Sequence, residues 1–421
     1  MREQVRPHPS MMTTSKALYV YLQRPGSSEW VTVGRYTRPQ GERTGTFRYA
    51  QSYCEAGHTW SIDPINIPFI GEVEHHAYRY HGLHDVLRDT TPDAWGRLLL
   101  QRQHQLHDNA QDIDYLRLAR NGDRWGALAV GPSRAPSVDF LKSPRLIQLE
   151  GLTEELLAMF ERRPPVDARM RRMLMSTPSM GGARPKGTLH DGDDYWLVKP
   201  ILPTDTVDIP QLEHFTLRWG IETGMNFARS AHHQIKDGLS VLRILRFDRQ
   251  GEQRSMAISA ASLLGTEYPG GARANWSYSL LAQALQKIGC PQQDRIELFN
   301  RMVFNAVVGN DDDHPRNHAA IYSAHEAVWR LSPAFDVVPN PCEEPRTLSM
   351  QLSEGRFDIS RKAILKDALY FGFEDGTAAA LHLDELLGRI EAAYYNVDEQ
   401  LAQPMRQLLV DRLTTTLRLL T

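Results

Sequence analysis

"NAVVGNDDDHPRNHAAIY", residues 305–322, sets three consecutive aspartates, a histidine and an asparagine between an apolar run and a β-like run. Upstream, Ile296, Phe299, Val303 and Val307 recur at helical spacing, and Gly309 reads as the helix stop. Downstream, "AAIY" and "AVWRL" read as short strands that double the chain back and bring Asp336 of "SPAFDVVPN" beside Asn317. Taken singly, the aspartates also read as a solvated charge run and Asp336 as an Asx-turn at a strand end.

The spacing within the loop is chemically suggestive. Asp312 precedes Asn317 by five positions, the separation of base and metal-ligating amide in a kinase catalytic loop. An aspartate so placed can accept a proton from a substrate hydroxyl, while the amide oxygen one turn later can bind Mg²⁺. Asp336 would add a second hard oxygen ligand. An EF-hand is excluded, because Pro315 and Arg316 stand where that loop needs an acidic ligand and glycine.

Upstream segments supply further parts in a telling order. "STPSMGGARPKGTL" offers Ser179 and the pair Gly181 and Gly182, which can point successive N–H groups at a phosphate. It is not a Walker A loop, since Lys186 precedes Gly187 and Thr188, and an ordinary turn is the competing reading. Lys199 ends the apolar strand "YWLVK", where an ammonium wants an anionic partner, and Glu213 on the next helix can provide one. Glycine loop, strand lysine, helix glutamate, the connecting "LRFDR", aspartate with asparagine, then a second aspartate is the order of parts in a protein kinase.

Composition frames this reading. A chain of 421 residues has length for roughly two or three domains. With 48 basic and 51 acidic residues, net charge −3, nothing marks a general polyanion binder. Cys54, Cys290 and Cys342 form no C-x-x-C pair, as expected of a reducing compartment. The N-terminal "MREQVRPHPSMMTTSK" lacks a secretory apolar core and no run approaches a membrane span, so we expect a soluble cytoplasmic protein without membrane partners. "ALYVYL", "WVTVGRY" and "GALAVGP" read as strands, and "TPDAWGRLLLQRQ" as a helix capped at Thr91 and Pro92. "GPSRAPS", residues 131–137, reads as a linker, and "GTLHDGDDYWLVKP" as a hairpin on an Asp-Gly turn. "DIPQLEHFTLRWG" puts Leu212, Phe215 and Trp219 on one helical face. From about residue 275 helices dominate.

The motifs "SMGGARPKGTL", "YWLVKP", "LRFDR", "GNDDDHPRNHA" and "PAFDVVPN" resemble the core motifs of HipA-family serine/threonine kinases, toxins of bacterial toxin–antitoxin pairs. "GTFRYAQSY", "SIDPINIP", "LRDTTPDAWGRLLLQRQ", "YLRLARNGDRWGALAVGP" and "SMQLSEGRFDISRKAILKDALYFGF" extend the resemblance over nearly the whole chain. It implies an α+β, bilobal protein-kinase-like fold with a mixed α/β N-terminal lobe, an all-helical C-terminal lobe and ATP between them. The implied divisions are an N-terminal subdomain at 15–135, a kinase N-lobe at 138–250 and a C-lobe at 251–421. Asp312 is the implied catalytic base, Asn317 and Asp336 the Mg²⁺ ligands, and Lys199 the phosphate-contacting lysine. Ser179, Met180, Gly181, Gly182, Ala183 and Lys186 form the implied phosphate-binding loop, with Ser179 its autophosphorylation site. Arg246 and Phe247 would lie in a hinge whose main chain reads adenine, and His314 would brace the loop through hydrogen bonds. Leu245 departs from the family, which often has an acidic residue there, and Asp311 and Asp313 add charge beside the base. The implied activity is Mg-ATP-dependent phosphorylation of a protein, such as an aminoacyl-tRNA synthetase, restrained by a helix-turn-helix antitoxin through which DNA is contacted indirectly. Two other readings stand beside it: a metal-dependent nuclease using the Asp/His/Asn loop, and a catalytically silent kinase-fold module that binds an antitoxin.

Overall fold

The computed structural model describes residues 17–39, 41–176, 182–270, 273–342, 344–397 and 401–421. Ser179, Met180 and Gly181 lie outside the described residues.

Strand-forming apolar and aromatic residues build the first sheet, with β1 and β5 almost wholly buried. β1 (Leu18–Gln23), β2 (Trp30–Thr37), β3 (Gly45–Tyr49), β4 (Glu74–Ala77) and β5 (Leu128–Gly131) pair antiparallel in the order β4-β3-β2-β1-β5. Short helices α1 (Gln51–Glu55) and α2 (Asp85–Asp89) precede α3 (Ala94–His104) and α4 (Asp112–Leu118). The N-cap of α3 is Asp93 and not Thr91 or Pro92, and its carboxylate makes no capping bond because arginines engage it instead.

The second sheet forms the roof of the cleft. After α5 (Leu149–Phe160) and α6 (Ala168–Ser176), β6 (Gly187–Asp191) and β7 (Asp194–Pro200) make a hairpin whose loop is Gly192–Asp193, one residue beyond the expected Asp-Gly turn. α7 (Ile209–Glu222), β8 (Ser230–Gln234) and β9 (Ser240–Leu245) complete the strand order β6-β7-β9-β8. Side chains alternate across β7. Trp196 and Val198 pack with Leu152, Leu156 and Leu174 of α5 and α6, whereas Leu197 and Lys199 face the cleft. Asp208 caps α7 by accepting from the Gln211 amide at 2.9 Å, and Leu212, Phe215 and Trp219 are buried as expected.

The C-terminal lobe is mostly helical but also carries a sheet. Beyond a small hairpin, β10 (Arg249–Gln250) and β11 (Gln253–Arg254), come β12 (Ala257–Ser259), β13 (Ala319–Ser323) and β14 (Val328–Leu331), paired antiparallel. α8 (Ala260–Leu263), α9 (Tyr278–Lys287), α10 (Gln292–Val308), α11 (Arg361–Lys366), α12 (Gly376–Asn396) and α13 (Gln403–Leu420) supply the helices. Trp219 joins the lobes: its indole donates to the Ile390 carbonyl at 2.8 Å and its ring meets Phe304 and Tyr394 edge-on. Ile296 alone of its predicted face is only partly buried, while Phe299, Val303 and Val307 are fully buried.

Gly309 ends α10 at φ +70°, and a Cβ there would meet the Arg412 guanidinium arm at 2.7–2.9 Å. Arg412 in turn donates to the carbonyls of Val308 and Asn340 at 2.9 and 2.8 Å. Gly309→Ala is therefore expected to lose at least about 1–2 kcal/mol from the left-handed backbone alone. A thermal or urea midpoint indistinguishable from wild type would contradict this account of how the acidic loop is launched.

Candidate active site

A cleft lies between the β6–β9 sheet and the C-terminal lobe. Leu197, Ile244, Leu245, Phe247 and Phe335 make an apolar wall, and Lys186, Lys199 and Asp336 a charged one. Lys199 is buried and donates to both oxygens of Glu213, at 2.8 and 3.1 Å, and to Asp336. Burial opposes its charge, but Asp336 and Glu213 outweigh that and hold the ammonium above the usual lysine range. Conversely, burial would raise Asp336, yet Lys199 and Lys186 pull its carboxyl well below the ordinary range. Asp336 sits at φ +58°, a left-handed backbone that aspartate tolerates better than most residues.

Lys186 is the second buried cation. Burial and then repulsion from Lys199 push it down to about 8, against the pull of Asp336, Asp93 and Glu213. Its ammonium folds back over Gly182, where a Cβ would lie 2.6 Å from Nζ. Two cations converging on one apolar-walled cleft can receive a polyanion such as a nucleotide phosphate chain.

The three aspartates of the acidic loop have three different jobs. Asp311 accepts from Asn340 Nδ2 at 3.0 Å, and its carbonyl accepts from the Ser349 hydroxyl at 2.6 Å. Asp313 is buried and accepts from the Tyr278 hydroxyl at 2.6 Å and the Ser349 amide at 2.8 Å. Burial nonetheless raises it to about 7. Only Asp312 is free of these tethers, with its side chain 82% exposed. Partial desolvation, then repulsion from Asp336 and Asp311, lifts it to about 6; water tempers the first effect at so open a position. Asn317 closes the loop by donating Nδ2 to the Asp312 carbonyl at 2.9 Å, so its amide presents Oδ1 on the opposite edge.

Two expected roles change. His314 braces the loop through its carbonyl, which accepts from the Asn317 amide at 2.9 Å, while its side chain acts by stacking: the ring lies against Tyr268 with centroids 3.9 Å apart, and Nδ1 has no hydrogen-bond partner among the described residues. Burial pushes its imidazole down to about 4, so it is neutral near pH 7. Arg246 donates its amide to the Tyr195 carbonyl at 2.8 Å and its guanidinium to Asp123 and Asp248. Its N–H is therefore not free to read a base, and the residue works as a clamp behind the hinge. Leu245 likewise donates its amide to Arg229, at 2.8 Å.

Sequence reasoning missed the contribution of the N-terminal subdomain. Asp89, Asp93 and Trp125 line the cleft, and Arg316 of the acidic loop reaches Asp89 at 3.4 Å and Asp93 at 3.2 Å. Burial works against the charge on Asp93, but Arg316, Arg88 and Lys186 hold it down at about 2. The available signal was two acids in "LRDTTPDAWGRLLL", an otherwise core-like segment where a charge needs a partner. Because the folded-state value of Asp93 is depressed, its stabilisation is present above its unfolded value near ~3.9 and fades as pH falls toward 2. Arg316→Ala leaves Asp93 with Arg88 and Asp89 with the Ser259 and Ser262 hydroxyls, and should cost about 1–3 kcal/mol, with the variant losing less further stability than wild type between pH 4 and pH 2. Equal acid sensitivity of the two proteins in urea titrations would show that the pair is not formed.

Comparison with known proteins places this geometry. The family model for the HipA-like C-terminal domain matches residues 178–401, more than half of the chain. No curated protein sequence matches. Among solved structures, HipA of Shewanella oneidensis MR-1, from a complex with HipB and operator DNA, superposes with a TM-score of 0.69 at 17% identity, covering 95% of this chain and 96% of that one. The proinflammatory kinase CtkA of Helicobacter pylori gives a TM-score of 0.44 at 13% identity, over 57% of this chain and 90% of its own. Motif order, the cleft with its Lys199–Glu213 pair, and the domain match agree that the chain belongs to the HipA family.

Proposed function

We propose that this HipA-family chain is an Mg-ATP-dependent protein serine/threonine kinase and the toxin of a toxin–antitoxin pair. The observation that carries the reading is Lys199, held between Glu213 and Asp336 beside an apolar wall, with Asp312 open at the loop. In this reading the adenine lies against the apolar residues and the phosphates meet Lys186 and Lys199. Asp312 accepts the proton of a serine or threonine hydroxyl as its oxygen bonds to the γ-phosphorus and ADP departs. Asn317 and Asp336 would hold Mg²⁺, and the donor set fits: two hard oxygen ligands, one kept anionic by Lys199, completed by phosphate. With two protein ligands, phosphate oxygens and waters would complete the shell. Bound Mg²⁺ would supply charge neutralisation along the phosphates.

The nuclease reading is disfavoured by His314, which is stacked under Tyr268, and by Asp311 and Asp313, which face structural partners. Ser179 is the proposed autophosphorylation site; about two added negative charges there would oppose triphosphate binding and silence the enzyme. A translation component such as an aminoacyl-tRNA synthetase is the acceptor class the family resemblance suggests. The Shewanella HipA was solved with HipB and operator DNA, which supports an antitoxin partner for this chain; that DNA is contacted indirectly, through the antitoxin, is part of the proposal. Among the described residues no helix is long and apolar enough to cross a membrane.

Intact-mass and phosphosite analysis after incubation with Mg-ATP tests the proposal. Dephosphorylated wild type should gain one phosphate at Ser179, while Asp312→Asn and Ser179→Ala gain none there. Phosphate gain by Asp312→Asn at the wild-type rate would remove the assigned base. For a peptide acceptor, kcat/KM should rise with pH through about 6 as Asp312 deprotonates and fall above about 8 as Lys186 loses its charge. A profile flat from pH 5 to pH 9 would contradict both assignments.

A further inference from the structure

The start of α3 touches both halves of the cleft. Asp93 meets Arg316 of the acidic loop, and two residues on, Trp95 meets the phosphate-binding turn. The first N–H groups of a helix lack intrahelical partners, and the Asp93 side chain does not cap this one. The Gly182 carbonyl takes that place, accepting from the Trp95 amide at 3.3 Å. A buried indole N–H also needs an acceptor, and the Lys186 carbonyl provides it at 3.2 Å. Trp95 is 2% exposed and packed among Leu152, Leu156 and Leu189, so it is a rigid post. One side chain and its own amide thus fasten both ends of the turn from Gly182 to Lys186, across which the Lys186 ammonium folds. Arg184 adds a separate anchor through Asp205 at 2.7 Å, but it does not engage the two end carbonyls.

We infer that Trp95 of the N-terminal subdomain is a positioning residue for the phosphate-binding turn, fixing the backbone from which Lys186 reaches into the cleft. The functional part of this inference rests on the nucleotide reading above; the mechanical part does not. A consequence is that the N-terminal subdomain sets the phosphate site directly, so displacement of that subdomain loosens nucleotide binding.

Replacing Trp95 by its benzothiophene analogue, sulfur in place of the indole N–H, keeps the buried bicycle and the backbone donor and removes only that hydrogen-bond donor. Hydrogen exchange of the full-length protein without nucleotide should quicken about threefold or more at residues 182–187, with α5 and β7 unchanged. Unchanged exchange at 182–187, or a uniform rise throughout the lobe, overturns the clamp. Trp95→Phe is the second variant: it also removes part of the buried bicycle, so exchange at 182–187 should quicken more than in α5, and an equal rise in both overturns the clamp. Calorimetry with Mg-ATP then separates the two readings. Binding weakened about three- to tenfold in the variant supports the positioning role, and unchanged affinity overturns it. Local loosening in a protein whose wild type binds no nucleotide leaves the clamp standing and sinks the kinase reading.

Discussion

Two lysines buried in one cleft are the constraint around which the molecule is arranged. Bringing ammonium groups out of water is costly, and bringing two together adds repulsion. Lys199 is compensated by Glu213 from α7 and Asp336 from the segment after β14, which ties the β6–β9 sheet to both. Lys186 is left with its proton affinity lowered. A site built this way brings two cations to one cavity, and an anionic ligand there would relieve the repulsion between them. The same charges keep Asp336 ionised.

The acidic loop solves a different problem, that of holding one carboxylate open while its neighbours are consumed. Gly309 turns the chain out of α10, Asp311 and Asp313 tie it to the segment around Ser349, and Arg316 ties it to the N-terminal subdomain. His314 fills the space beneath Tyr268. Asp312 remains exposed because every adjacent side chain has a structural partner.

How much of this was legible depends on sequence range. Local relations came through: the five-residue spacing of Asp312 and Asn317, the αL stop at Gly309, the hairpin of β6 and β7, and the demand of Lys199 for an anion such as Glu213. Relations set by long-range packing did not. Nothing near Asp93 announces Arg316 more than two hundred residues away, so the start of α3 was read as an ordinary Thr-Pro cap. Nothing in the sequence around Trp95 marks it, because its hydrogen-bond partners Gly182 and Lys186 lie in a turn far along the chain. The resemblance implies a hinge position for Arg246, and the residue lines the cleft, but the commitment of its amide and guanidinium to Tyr195, Asp123 and Asp248 depends on residues distant in sequence. The three adjacent aspartates could be told apart by spacing but not by partner, since Tyr278, Asn340 and Ser349 are distant in sequence.

The claim that the paired lysines form a phosphate-binding cleft is tested most directly by calorimetric titration of the dephosphorylated protein with Mg-ATP, comparing wild type with Lys199→Met. The account predicts one nucleotide per chain in wild type and at least about tenfold weaker binding in the variant, the loss of one charge-assisted phosphate contact. Equal affinity in the two proteins, or saturable binding whose heat is unaffected by replacing Lys186 or Lys199, would contradict it.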